Sequence, residues 1–208
     1  MRSWSVVIPA KRLAVAKTRL RPLTDALGAA HDELVLALLT DTVAAAAACP
    51  AVTELLVVTD DPSAADVVRE LGARIVPDVP DRGLNPALEY GARSASGDAV
   101  AALSSDLPAL RPDELTAALG AAAGSARAFV ADAQGTGTTL LTAVDTELLP
   151  RFGPRSAEAH LVGGATALSG TWPGLLRDVD TESDLRAALA LGAGPRTTAL
   201  ADRLHVAR

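Results

Sequence analysis

The chain has 208 residues, is 49% hydrophobic and carries a net charge of −6 with a single cysteine. The acidic balance and the five scattered aromatics (Trp4, Tyr90, Phe129, Phe152, Trp172) argue against general nucleic-acid binding and leave no platform for stacked bases. Cys49 alone excludes internal disulfides and multi-cysteine zinc sites, and there is neither a membrane-length apolar run nor an N-terminus suited to a signal peptide, since Pro9 and Lys11 come too early. The expectation is a cytoplasmic globular protein of one domain, residues 1–208, with a core of Ala, Val and Leu.

The first element is a short apolar run, Trp4 to Ile8, ended by Pro9; it reads as a buried strand that stops abruptly. The loop after it holds Lys11, Arg12, Lys17, Arg19 and Arg21 with no acid between Lys11 and Arg21, five of the nineteen Lys and Arg in the chain. A basic loop at the carboxyl end of a central strand suits an anionic ligand; the alternative is a solvated basic loop. His31 to Ala48 reads as a helix with Asp32 and Glu33 in its first turn. A second strand is expected over Glu54–Thr59. A helix follows, with Asp61 as N-cap and Pro62 at its first position, and Gly72 stops it.

Ala73–Val76 reads as a third strand. The loop Asp78–Asn85 leads to a short helix, Pro86–Ser94, with Asn85 as the expected N-cap. A fourth strand, Asp98–Leu103, runs into Ser104-Ser105-Asp106-Leu107-Pro108, and Pro112 starts another helix. Strands over Arg127–Ala131 and Thr139–Val144 flank the loop Asp132–Thr139. Phe152–Ser156 feeds a short helix through His160 with Ser156 as its expected N-cap. Leu176–Val179 reads as a last strand, followed by a helix from Glu182 that ends before Gly192. Alternating strands and helices imply an α/β, three-layer, Rossmann-like fold with a mostly parallel sheet.

Asp106 follows a strand directly, which aims a carboxylate at the sheet's ligand crevice; capping of the Leu107-Pro108 turn is the alternative. Asp178, Asp180 and Glu182 form a second acidic cluster, and such carboxylates need a neutralising cation or base. Mg²⁺ suits them, completing its shell with waters and phosphate oxygens. A Thr181-x-x-Asp184 capping box accounts for Asp184 and Glu182 without a metal but leaves Asp180 unexplained. Gly135-Thr136-Gly137-Thr138-Thr139 could cradle a phosphate through N–H groups and hydroxyls, or simply form a hairpin turn. Backbone donors at the start of the helix after Phe152-Gly153-Pro154-Arg155-Ser156 form another anion site. No nucleophile signature is present, and His31, His160 and His205 read as surface or helix residues. Chemistry without a general base is then expected, as when an anionic phosphate attacks a nucleotide α-phosphorus.

Taken together, VVIPAKRLAVAKTRL, VVTDDP, DRGLNPAL, SSDLPAL, DAQGTGTTLL, FGPRSAEAH and DVDTESDL resemble, in the same order, the phosphoenolpyruvate and 2-phospho-L-lactate guanylyltransferase family of coenzyme F420 biosynthesis, in its actinobacterial form. The resemblance covers nearly the whole chain. It implies a GT-A-like nucleotidyltransferase fold and the reaction of GTP with phosphoenolpyruvate to give enolpyruvoyl-2-diphospho-5'-guanosine and pyrophosphate. The product would pass to a separate downstream transferase, the enzyme being a monomer or homodimer with no nucleic-acid or membrane partner. By the same resemblance, Thr138, Gly153 and Ser156 hold the phosphoenolpyruvate, and Asp106, Asp180 and Glu182 hold Mg²⁺. Lys11, Lys17 and Arg19 meet the triphosphate, with Lys17 and Asp106 catalytic, and Gly83 and Asn85 line the guanosine side. The family usually reads FGPGS where this chain has Arg155.

Other readings are a nucleotidyltransferase for a different nucleotide or acid, and a nucleotide-sensing domain without turnover. A glycosyltransferase would carry an Asp-x-Asp pair where this chain has Ser104-Ser105-Asp106.

Overall fold

The computed structural model describes residues 2–10, 17–24, 30–79 and 81–206. Seven strands form one sheet in the order β3-β2-β1-β4-β6-β5-β7. They are β1 (Trp4–Pro9), β2 (Val52–Val58), β3 (Arg74–Val76), β4 (Ala99–Leu103), β5 (Arg127–Ala131), β6 (Thr138–Val144) and β7 (Thr166–Ala167). The β1, β2, β3 and β4 neighbours pair in parallel; β6 runs antiparallel to both β4 and β5, and β7 pairs in parallel with β5. The sheet is therefore mixed, with a parallel half and a hairpin, β5–β6, inserted into it.

All six residues of β1 are buried, as expected of a strand covered on both faces. Its side chains alternate between two cores. Trp4, Val6 and Ile8 meet residues such as Leu39 and Val43 of α2 (Ala30–Ala47), Ala64 and Val68 of α3 (Pro62–Glu70), and Leu115 and Leu119 of α5 (Pro112–Ala122). Val7 points the other way, to a core shared with Leu88 of α4 (Leu84–Arg93) and Ala157 of α6 (Ser156–Val162). This period of two makes the three layers. A third cluster packs Leu34 and Leu38 of α2 against Leu185 and Leu189 of α8 (Glu182–Leu191) and Leu200 of α9 (Pro195–Arg203). Among the described residues no helix is long and apolar enough to cross a membrane.

The local signals for α3 and α8 act as expected. The Asp61 carboxylate accepts hydrogen bonds from Ser63 N and Ala64 N at the start of α3, and Thr181 and Asp184 form a reciprocal capping box on α8. Three expectations are corrected. Leu176–Val179 is not a strand: α7 (Pro173–Leu176) turns first, started by Pro173 and held by Glu114, whose carboxylate accepts from Gly174 N and Leu175 N. Leu176-Arg177-Asp178-Val179 has only two apolar residues, of which Val179 alone is fully buried, and so short a stretch carries no reliable period. Asn85 is not the N-cap of α4; Gly83 holds that place and Asn85 lies inside the first turn. Likewise Arg155, left-handed at φ 57°, precedes α6, and Ser156 is its first residue. The helices α1 (Arg21–Thr24) and α9 and the strand β7 were not anticipated.

The helix α4 lies so close to the sheet that a Cβ on Gly91 would fall 2.5 Å from Val7 Cγ1 and 2.7 Å from Val58 Cγ2. Valine is stiff at χ1 and cannot swing away cheaply. Gly91→Ala is expected to lower stability by about 1–2 kcal/mol, an overpacking cost reduced by alanine's better helix propensity. Urea denaturation would measure it, and an unchanged midpoint would show that the helix can lift without penalty.

Candidate active site

The strand order turns at β1 and β4, which leave the sheet's middle in opposite directions of travel; such a switch point opens a crevice at the strands' carboxyl ends. A cavity of about 690 Å³ lies there, within the range of small-molecule sites. Pro9 at the end of β1 and Ala10 after it, with Ser104, Ser105 and Asp106 after β4, line it.

Lys17 projects into this cavity from a left-handed backbone position, φ 49°, just before a single turn of 3-10 helix, Thr18–Leu20. Its ammonium donates to Asp106 Oδ2 and to Asp180 Oδ1. Burial by itself would lower the lysine's pKa, but the charges of Asp106 and Asp180 and their hydrogen bonds outweigh it and raise the value. Lys17 therefore stays protonated and serves as the shared cation of two carboxylates. Asp106 is buried, and its backbone oxygen accepts from Val179 N, which docks the Asp178–Asp180 segment beside the turn after β4. Asp178 also faces the cavity. Its carboxyl is pushed up to about 7, first by burial and then by the charges of Asp106 and Asp180, against the opposing pull of Lys17.

Glu182 does not join this group. It is exposed at the start of α8, does not line the cavity and pairs with Arg186. Asp178, passed over in favour of its neighbours, occupies the place expected of Glu182. The reason is geometric: residues 177–180 are irregular chain, not a strand, and the helix begins at Glu182 and turns it outward. Among the described residues no three Asp, Glu, His or Cys side chains converge as a ready metal cage. Two aspartates already gathered around one cation do fit a hard divalent ion that fills the rest of its shell with water and phosphate oxygens.

The same cavity is also bordered by Thr138, Gly153, Arg155 and Ser156. The β5–β6 connection is a hairpin loop whose backbone donors are already engaged: the Asp132 carboxylate accepts from Thr136 N at 2.9 Å and Gly137 N at 2.8 Å. At the start of α6, Ser156 N donates to Gly153 O and Ala157 N to Thr136 O. The expected cradle of backbone N–H groups is thus largely consumed internally, and recognition on this side falls to hydroxyls. Thr138 and Ser156 are both buried yet border the cavity. The extra cation, Arg155, is an exposed side chain paired with Glu158.

Asn85 was expected on the nucleotide side. Its side chain is instead committed to the loop before α6, donating to Phe152 O at 3.0 Å and accepting from Phe152 N at 2.7 Å. Neither Gly83 nor Asn85 lines the cavity, whereas Leu84 and Leu88 of α4 do. Gly83 earns its glycine through φ 98° at the helix start. Arg19 borders the cavity as an exposed cation. Lys11 and Arg12 lie outside the described residues. His160, expected as a surface or helix residue, lies on α6 and is buried, with its ring against Phe129 and Phe152. Burial, with a smaller contribution from the Arg151 guanidinium, pushes its imidazole down to about 4, so it is neutral at physiological pH. Sequence pattern shows a helical histidine in both cases; only the partners separated from it in the chain reveal its place.

This mixed sheet, with its cavity at the β1–β4 switch point, has the GT-A-like fold of nucleotidyltransferases. A solved nucleotidyl transferase from Methanothermobacter shares the fold with a TM-score of 0.63 at 24% identity, over 92% of this chain and 98% of that one. The family model described as guanylyl transferase CofC like matches residues 4–206, and the chain belongs to that family. A phosphoenolpyruvate guanylyltransferase of Geodermatophilus obscurus is 70% identical over 96% of this chain and 94% of its own length. Another, from Salinispora arenicola, is 54% identical over 95% and 92%. The chain is a nucleotidyltransferase enzyme.

Proposed function

We propose that this enzyme joins GTP to phosphoenolpyruvate, forming enolpyruvoyl-2-diphospho-5'-guanosine and releasing pyrophosphate, as a step of coenzyme F420 biosynthesis that feeds a downstream transferase. The observation that carries the reading is one cavity at the β1–β4 switch that is lined both by the charged group Lys17, Asp106 and Asp180 and by Thr138 and Ser156, which carry hydroxyls. The names of the relatives at 70% and 54% identity support the choice of nucleotide and acid.

The reaction asks little of the protein in proton transfer. A phosphate oxygen of the acid attacks the α-phosphorus of GTP, and the bond to the β,γ-pyrophosphate breaks with its electron pair leaving on pyrophosphate. The attacking oxygen is already anionic, so positioning and charge neutralisation supply most of the catalysis. His160 fits this division of labour: it is neutral, and both ring nitrogens are engaged by protein groups. The two substrates together bring roughly six or seven negative charges, counting about two for a terminal phosphate. At about 4 Å and an effective dielectric near 20, each pair of charges would repel by about 4 kcal/mol.

In this reading Lys17, with Lys11 and Arg19, meets the triphosphate, and Thr138, Gly153 and Ser156 hold the acid. Asp106 and Asp180, with Asp178 beside them, would hold Mg²⁺, which when bound supplies charge neutralisation at the phosphates. Asn85 acts on the acid side by fixing Phe152, one residue before Gly153. The test is pyrophosphate release with GTP, Mg²⁺ and, separately, phosphoenolpyruvate, 2-phospho-L-lactate and 3-phosphoglycerate, with CTP, UTP and ATP in parallel. Release with GTP and phosphoenolpyruvate is expected. Release with another acid, or with another nucleotide only, would replace the substrate assignment. Silence from folded protein that binds GTP would overturn the reaction.

A further inference from the structure

The backbone donors on the acid side are largely consumed, which throws weight onto the Thr138 hydroxyl. Its hydrogen bonding is set from behind. His160, on α6, approaches Thr138 Oγ1 with Nδ1 at 2.9 Å, and its Nε2 receives the backbone N–H of Arg151, also at 2.9 Å. A backbone N–H can only donate, so Nε2 must be unprotonated. A neutral imidazole then carries its one proton on Nδ1. That proton can only point at Thr138 Oγ1, which is thereby an acceptor.

A threonine hydroxyl has one proton and two lone pairs. With a lone pair taken by His160, its own proton remains free to donate elsewhere, and Thr138 borders the cavity. We propose that His160 is a positioning residue that locks Thr138 as a hydrogen-bond donor toward the anionic oxygens of the phosphorylated acid. The inference rests on the guanylyl-transfer reading for the identity of that acid. The same imidazole, through Arg151 N, also fixes the stretch leading to Gly153, and Asn85 fixes Phe152 within it. Phe129 and Phe152 hold the ring's plane by tilted and edge contacts. One buried side chain therefore joins the first residue of β6 to the loop before α6, two segments that must face the same ligand.

The experiment has two arms. In the kinetic arm, His160→Gln retains an acceptor near the old Nε2 position and loses the donor to Thr138. It is expected to raise KM for phosphoenolpyruvate by about tenfold, the usual scale for a charged hydrogen bond, while KM for GTP stays within about twofold. His160→Asn places an amide nitrogen where Nδ1 was and is expected to recover most of the loss. In a Thr138→Val background, His160→Gln is expected to add no further loss, because the two residues act as one unit. Equal losses in both backgrounds, or equal impairment of the Gln and Asn variants, would overturn the proposal and leave His160 a packing residue.

The spectroscopic arm does not depend on turnover. Imidazole ¹⁵N NMR of the intact wild-type protein is expected to show the Nδ1–H tautomer, with a resonance that moves in Thr138→Val and on addition of phosphoenolpyruvate. An Nε2–H tautomer would overturn the proposal even in an active enzyme. If no acid supports pyrophosphate release, the reaction reading fails, and this arm still decides: a resonance that responds to Thr138→Val and to the acid supports the positioning role, and one that ignores either overturns it.

Discussion

Asp106→Asn is expected to reduce turnover by about a hundredfold, or roughly 2.7 kcal/mol of transition-state stabilisation, while leaving the fold intact. The amide is nearly isosteric, and the residue's backbone bond from Val179 N does not depend on the side chain. Lys17 keeps Asp180 as a partner. What disappears is one of the two carboxylates that gather around a single cation, and with it half of the proposed carboxylate pair for a divalent ion. The loss should therefore show in turnover and in the Mg²⁺ concentration needed for half-maximal rate, with thermal unfolding little changed. Near-normal turnover at low Mg²⁺ would remove Asp106 from the machinery.

Lys17→Met is expected to act on stability and activity at once. Without the ammonium, Asp106 and Asp180 face each other with Asp178 close by and no counter-ion among them. Removing one partner of a fully buried ion pair costs about 3–5 kcal/mol. Here the Asp180 side chain is 52% exposed, so water screens part of the charge and about 1–3 kcal/mol is the expected loss, some 2–4 °C in Tm for each kcal/mol. Added Mg²⁺ should restore much of that stability, because a divalent ion can take the place the ammonium filled. Turnover should nevertheless stay at least about tenfold low if, as proposed, the triphosphate loses a fixed cation. Thermal unfolding of both proteins with and without Mg²⁺, alongside pyrophosphate release, separates the effects. A variant as stable as wild type without metal would mean that Lys17 does not offset the repulsion between the aspartates.

The fold was readable because its signals are local. The alternation along Trp4–Pro9, the Asp61-Pro62 start of α3 and the Thr181–Asp184 box each involve residues within a turn of one another. Asp106 was legible as a crevice residue because it directly follows a buried strand, and Lys17 because it belongs to a basic loop with no acid in it; both line the cavity. The errors share one cause, a partner far along the chain. Asn85 looked like a cap for its own helix, but it binds Phe152, 67 positions away. Leu176–Val179 looked like a strand, but Glu114, some sixty positions away, accepts from Gly174 N and Leu175 N and fixes a helical turn just before it. His160 carries no local sign that Thr138 and Arg151 will take both ring nitrogens. The helix α9 had a weak signal in Gly194-Pro195, but its N-terminus is secured by Asp41 of α2, which accepts from Arg196 N and Thr197 N.

The position of β1 has a consequence for how the molecule is made. Val7 pairs with Leu56 on one side and with Ala102 on the other, so the strand at the middle of the sheet acquires its second neighbour only when a segment distant in the chain comes back to it. Such non-local pairing slows folding. Until β4 arrives, a strand dominated by Trp4, Val6, Val7 and Ile8 presents an unpaired edge, the kind of surface on which chains join one another. Refolding from denaturant should lose more protein to aggregation as concentration rises, and the hazard lies in the same apolar strand that later supports the catalytic crevice.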